Sequence, residues 1–131
     1  MSKIVKSKEE WKKVLSDDVF EVTRNQGTEH PFSGEYNQHF EDGIYMCVCC
    51  GHELFDSNTK FNSGCGWPSY SSPVDKSSLI ELEDNSHGMI RIEVKCSVCD
   101  AHLGHVFEDG PAPNGLRYCI NSLSVIFKKR L

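Results

Sequence analysis

The sequence contains no apolar run approaching the roughly 18 residues needed to cross a bilayer, so no membrane span is expected. Its opening residues, Met1-Ser2-Lys3-Ile4-Val5-Lys6, lack the apolar stretch of a secretory signal, which points to a cytoplasmic location. An excess of positive charge is also missing. The formal net charge is -5, and the one short basic cluster, Lys128-Lys129-Arg130, reads as a solvated tail. No nucleic-acid partner is expected on that balance. Nor is there an even set of cysteines. Seven thiols argue against a secreted disulfide scaffold and, in a reducing compartment, for metal ligands or catalytic groups.

What is present fits a single domain over residues 1–131, with a modest core at 38% hydrophobic composition. Residues 1–42 read as a helical and extended N-terminal arm. Ser7-Lys8-Glu9-Glu10 has capping-box spacing, and Trp11, Val14 and Leu15 then form an apolar stripe. A second short helix is expected from Ser16 or Asp17, carrying Val19, Phe20 and Val22 and ending by Gly27. Residues 28–43 are rich in Gly, Pro, His and Asn and read as an extended loop that packs over the rest. Residues 43–131 read as a β core. Ile44, Met46 and Val48 alternate with Tyr45, Cys47 and Cys49, and Ile90, Ile92 and Val94 alternate with Arg91, Glu93 and Lys95. The fold class expected is mainly β: antiparallel sheets with small N-terminal helices and a metal clip.

The clip is carried by two pairs of identical spacing, Cys47-Val48-Cys49-Cys50 and Cys96-Ser97-Val98-Cys99. Each follows a strand-like segment, and Gly51 suits a tight turn after the first. A Cys-x-x-Cys turn aims two sulfurs at one point, and two such turns complete a tetrahedron suited to Zn²⁺, one per chain. Four thiolates leave no open position for water, so the metal would be structural. Redox Cys-x-x-Cys motifs or buried apolar cysteines are the alternatives, but no βαβ pattern surrounds either pair. Cys49 lies between ligands and has no evident task.

Leu116-Arg117-Tyr118-Cys119-Ile120-Asn121-Ser122 reads as a strand. By alternation Leu116, Tyr118 and Ile120 face a core, while Arg117, Cys119 and Asn121 share the other face. A cation favours the nucleophilic thiolate. Charges roughly 5–6 Å apart at an effective dielectric near 20 interact by about 3 kcal/mol, or about two pKa units at most. The alternation then changes phase at Leu123, Val125 and Phe127, which a bulge near Asn121-Ser122 would repair. Upstream, in Ala101-His102-Leu103-Gly104-His105-Val106-Phe107, His105 and Phe107 share a parity and His102 could approach from the turn. Either histidine can donate a proton near neutral pH or serve as a core histidine. Asn114-Gly115 marks a turn into the Cys119 strand. In Gly64-Cys65-Gly66-Trp67-Pro68 the glycines leave a second thiol free to move, and Trp67 offers a flat wall, either to a pocket or to a core.

Ser63-Gly64-Cys65-Gly66-Trp67-Pro68-Ser69, Ala101-His102-Leu103-Gly104-His105-Val106-Phe107 and Arg117-Tyr118-Cys119-Ile120-Asn121-Ser122 closely resemble the methionine-R-sulfoxide reductases, the B class, and the paired cysteines resemble its zinc-containing branch. The resemblance runs from about Lys12 to Phe127. It implies two antiparallel β-sheets with small helices and a repair role acting on methionine-R-sulfoxide in oxidised proteins. It implies that Cys119 attacks the sulfoxide sulfur, that His105 supplies or orients the proton, and that Arg117, Asp109 and Asn121 position groups around the site. Trp67 would hold the substrate methyl group, with His102 and Phe107 near it. Cys65 would resolve the Cys119 sulfenic acid as a disulfide, which thioredoxin would reduce. Tyr70 stands where many relatives have Phe, Asn114 where Thr is frequent, and Cys49 is an extra thiol. Two rival readings are a zinc-dependent binding module without turnover and a thiol peroxidase or redox sensor.

Overall fold

The computed structural model describes residues 4–85 and 88–130. The N-terminal helices form where their capping signals stand. In α1 (Lys8–Val14) the Ser7 hydroxyl accepts from the Glu10 amide and the Glu10 carboxylate accepts from the Ser7 amide, a complete capping box. Helix α2 (Asp17–Arg24) follows Ser16, with Asp17 and Asp18 in its first turn and Arg24 in its last, the polarity a helix dipole favours. Only part of the expected stripe is inside: Trp11 is buried and Leu15 packs on the core, but Val14 is 65% exposed. The helix ends at Val14, so the chain turns away before that side chain can meet the sheet. Residues 28–42 make turns and irregular backbone, as their composition suggests.

Nine strands follow among the described residues: β1 (Gly43–Cys47), β2 (Glu53–Asp56), β3 (Lys60–Phe61), β4 (Ser69–Tyr70), β5 (Leu79–Asp84), β6 (Arg91–Cys96), β7 (His102–Phe107), β8 (Arg117–Ile120) and β9 (Val125–Lys129). They build two antiparallel sheets, one ordered β2-β1-β9 and the other β3-β4-β8-β7-β6-β5. The core is aromatic. Phe55 of β2 stacks on Tyr70 of β4 at 4.3 Å between centroids, and Tyr45 of β1 meets the same ring edge-on at 5.3 Å. Leu54, Val94, Leu103, Ile120 and Val125 complete it.

Two expectations about the strands are corrected. Ile90 lies before β6 and is 79% exposed, and the Arg91–Glu93–Lys95 face carries a buried Glu93. That face is polar because it lines a site. The change of phase after Ile120 is made by a 3₁₀ turn, Ser122–Ser124, and not by a bulge at Asn121-Ser122. A bulge lies one strand away. Val94 pairs with Gly104 and Lys95 with His102, so Leu103 is the extra residue in β7.

Candidate active site and metal centre

Strand β8 alternates as its residues dictate. Tyr118 and Ile120 are buried in the core, and Arg117 and Cys119 stand on the opposite face. The pairing register then assembles a row across that face. Cys119 is opposite Ser69 of β4 on one side and His105 of β7 on the other, and His105 is opposite Glu93 of β6. Gly104 beside this row is forced by close approach, since a methyl there would overlap the Cys119 carbonyl oxygen.

The row floors a cavity of about 190 Å³ lined by Cys119, Cys65, Trp67, His105, Phe107 and Arg117, among others. It is roomy enough for a small sulfur- and oxygen-bearing head group. Cys65 sits in a loop whose neighbours Gly64 and Gly66 have φ of 75° and 96°. Its Sγ lies 3.5 Å from Cys119 Sγ and 3.4 Å from Ser69 Oγ. No disulfide joins them. Hydrogen bonding from Cys119 holds Cys65 down to about 4, helped by the Ser63 and Ser69 hydroxyls against burial. The Cys65 hydrogen bond pushes Cys119 far up, burial adds to this, and the Arg117 guanidinium opposes it. The two sulfurs thus share one proton.

Arg117 is held from two sides. Its Nε and Nη2 donate to the two Asp109 carboxylate oxygens at 2.8 and 3.1 Å, and its plane lies 4.5 Å over the Phe107 ring. Asp109 itself is exposed and lies outside the cavity wall, so its part is to aim Arg117. His105 Nε2 is 2.8 Å from Asp84 Oδ2, and Asp84 in turn lies 3.5 Å from Arg91. His102 is set back from the wall. It is 3% exposed, lies behind His105 at 5.5 Å between rings, and is absent from the cavity wall. The bulge at Leu103 turns it onto the His105 side of the sheet, where Nδ1 meets Glu93 Oε2 at 2.7 Å. Burial keeps its pKa below the usual histidine value despite that carboxylate. Gln26 donates to both Glu93 oxygens at 3.0 and 3.1 Å.

Asn121 lines the cavity but serves largely as a brace. Its Nδ2 donates to Leu103 O at 3.0 Å and its Oδ1 accepts from the Glu29 amide at 3.0 Å. At most one amide N–H is left for a ligand. The Glu29 carbonyl accepts from Trp67 Nε1 at 3.1 Å, so one residue of the N-terminal arm ties the indole wall to Asn121. The buried Glu29 carboxylate then caps the 3₁₀ turn at the Leu123 amide, 2.9 Å away. Sequence reading missed Asp84, Glu93 and Glu29. Each acts over a long chain separation, and their only local signal was an acidic residue in an otherwise apolar or loop-forming stretch.

The four expected metal ligands do converge. Cys47, Cys50, Cys96 and Cys99 offer sulfurs all within 4.8 Å of one another, with Cys47–Cys99 at 3.5 Å and Cys50–Cys96 at 3.6 Å. A tetrahedron with metal–sulfur bonds of about 2.3 Å has edges of about 3.8 Å, so the set fits one zinc-sized ion. The two turns are built alike. The amide of the fifth residue closes on the first cysteine's carbonyl in each, Gly51 on Cys47 at 2.8 Å and Asp100 on Cys96 at 2.9 Å, and both residues have positive φ. Crowding also sets the charge. Hydrogen bonds among the sulfurs drive Cys47 far up and, through Cys47, bring Cys96 down, as expected of thiols crowded together with no cation between them. Cys49 is partly exposed and lies outside this set.

The profile of one family, described as the SelR domain, matches residues 15–129. The peptide methionine sulfoxide reductase MsrB of Pseudomonas putida is 58% identical over 130 residues, 99% of each chain. The protein of the same name from Pseudomonas syringae pv. syringae is 60% identical over 123 residues, 94% of each chain. That of Pseudomonas entomophila is 57% identical over 130 residues, again 99% of each. Among the described residues no helix is long and apolar enough to cross a membrane.

Proposed function

The chain belongs to the SelR-domain family, and from that premise we propose that it reduces the R epimer of peptide methionine sulfoxide to methionine. The observation that carries the reading is the pair of unlinked thiols, Cys119 and Cys65, with sulfurs 3.5 Å apart in one cavity with His105, Arg117 and Trp67. A binding module has no need of such a pair. A general peroxidase has no need of an indole wall and a cavity shaped for a head group larger than peroxide.

Cys119 gives its proton to Cys65 and attacks the sulfoxide sulfur as a thiolate, with Arg117 stabilising the negative charge. The attack joins the two sulfurs; that S–S bond and the S–O bond then both break as the oxygen passes to Cys119 with a proton from the His105 side of the cavity. Methionine leaves, and Cys119 is a sulfenic acid. Cys65 then forms an S–S bond to Cys119, and the oxygen departs as water with one further proton. An external dithiol, thioredoxin by the resemblance, exchanges with the disulfide and restores both thiols. Trp67 and Phe107 hold the methyl and methylene carbons. A sulfoxide sulfur is a stereocentre, so fixing the methyl, oxygen and chain directions together admits one epimer. Cys47, Cys50, Cys96 and Cys99 hold one structural Zn²⁺, which when bound joins the β1–β2 and β6–β7 turns and takes no part in the chemistry.

The test is turnover of separate R and S epimers of a peptide methionine sulfoxide with dithiothreitol. Reduction of R alone, lost in Cys119→Ser, is expected. Reduction of S alone, or undiminished turnover in Cys119→Ser, would sink the assignment. Bound zinc well below one per chain in freshly purified protein would count against the metal.

A further inference from the structure

We infer that Arg24 is the charge-balancing outer partner of the four-cysteine centre, and that through it the metal holds the N-terminal helices on the sheet. The inference rests on the metal reading above. Arg24 closes α2. Its Nη1 donates to the Cys99 carbonyl at 2.8 Å, and its Nη2 reaches Cys99 Sγ at 3.2 Å. The guanidinium plane lies 4.1 Å over the ring of Trp11, the buried residue of α1. One side chain therefore touches a proposed ligand, that ligand's backbone and both helices. The segment before α1 joins the same turn, where the Ile4 amide donates to Val98 O at 2.7 Å.

The chemistry favours a cation at this point. Four thiolates around a dication carry two net negative charges, and Cys47, Cys96 and Cys99 are buried away from solvating water. Guanidinium is permanently charged and weakly hydrated, and its planar fork can serve a sulfur and a carbonyl together while stacking on an indole. Outer partners of this kind typically tune metal affinity by about 10- to 100-fold. Arg24 also leads into the arm that braces the active site: two residues on, Gln26 donates to Glu93, and Glu29 ties Trp67 to Asn121. Metal, helices and cavity wall are thus linked by one short stretch of chain.

The experiment compares wild type, Arg24→Gln, Arg24→Lys and Trp11→Leu, each zinc-loaded, by the rate of zinc transfer to a colorimetric chelator. Cobalt-substituted forms are compared by their thiolate-to-cobalt charge-transfer band. Arg24→Gln should release zinc at least tenfold faster, and its charge-transfer band should move to lower energy because one sulfur has lost its donor. Arg24→Lys, which keeps the charge, should release zinc more slowly than Arg24→Gln. Trp11→Leu keeps the guanidinium on Cys99 and should leave the band in place. Release within twofold of wild type and an unmoved band in Arg24→Gln would overturn the role, as would a lysine variant as leaky as glutamine. Visible d–d bands of tetrahedral cobalt show in each variant that the site is folded. Failure of wild type to hold one zinc per chain is a different result, and it refutes the metal reading itself.

Discussion

Replacing Cys65 by serine is expected to make Cys119 ionise at lower pH and react faster with an alkylating agent. In the free protein the two sulfurs stand 3.5 Å apart and share one proton. Cys65, held down to about 4, carries the charge, so ionising Cys119 means placing a second negative charge beside the first. At 3.5 Å and an effective dielectric near 20 that repulsion is about 4.7 kcal/mol, or about 3.5 pKa units. Water around the partly exposed Cys65 reduces it, and a fall of about two units on removing the charge is the working figure. A serine hydroxyl stays neutral and can still donate, while Arg117 keeps its downward pull on Cys119. The sign is therefore set: Cys119 titrates lower without its neighbour. Iodoacetamide labelling followed by peptide mass spectrometry from about pH 5 to pH 9, with Cys49 as internal reference, measures it. Cys119 of Cys65→Ser should label about tenfold or more faster at pH 7. The same variant should release about one methionine per chain and then stop with thioredoxin as reductant. Labelling of Cys119 that is unchanged or slower would show that burial, and not Cys65, governs its ionisation.

Tyr70→Phe should raise stability by about 1 kcal/mol, read as a later urea midpoint, because the Tyr70 hydroxyl is fully buried with no partner among the described residues. Midpoints at or below wild type would mean that the hydroxyl has a role the packing does not reveal. Gly104→Ala should cost more than about 3 kcal/mol and abolish single-turnover methionine release, since the added methyl meets the backbone of Cys119 itself; near-native melting would refute the close approach. Lys60 is held down to about 8 by burial, so the unfolded chain binds the extra proton between that pH and the ordinary lysine value near 10.5. Its cost to folding is full below about pH 8 and relieved as pH rises. Lys60→Met should therefore gain about 1 kcal/mol at pH 7, with the gain shrinking towards pH 10; a gain that grows with pH would contradict the sign.

The parts of the molecule legible in the sequence are those set by short-range rules. The capping box at Ser7, the two Cys-x-x-Cys turns and the alternation that buries Tyr118 and Ile120 behind Arg117 and Cys119 each depend on residues within a few positions of one another. Val14 and Ile90 failed because an apolar residue at an element's end has periodicity without a facing surface. The phase change after Ile120 was visible, but its mechanism was not, since a 3₁₀ turn and a bulge shift parity alike and the choice is made by Glu29, about 90 residues upstream, capping the turn. The route by which His102 reaches the His105 side was hidden for a related reason. A bulge at Leu103, and not the turn, carries it there, and no local residue in Leu103-Gly104 announces which position carries the extra residue.

On the proposed function, the placement of the two thiols follows from what each must do. Cys119 is fixed by the core, because Tyr118 and Ile120 on either side are locked among Phe55, Val94 and Leu103. A nucleophile that must approach a sulfur along one direction gains from such rigidity. Cys65 must first stand aside for a substrate and then reach the oxidised Cys119, and it is given the opposite setting between two glycines of positive φ. That loop is steadied where motion is not needed, by the Phe32 amide on Gly66 O at 2.7 Å and by Trp67 on the Glu29 carbonyl. Exchanging the mobility of the two positions should therefore harm different steps. Stiffening Gly64 with alanine, at φ 75°, strains the resolving loop alone. It should slow disulfide formation while the first methionine is released at the native rate. Equal slowing of both steps, in rapid-quench measurements, would show that Cys65 and Cys119 move as one unit.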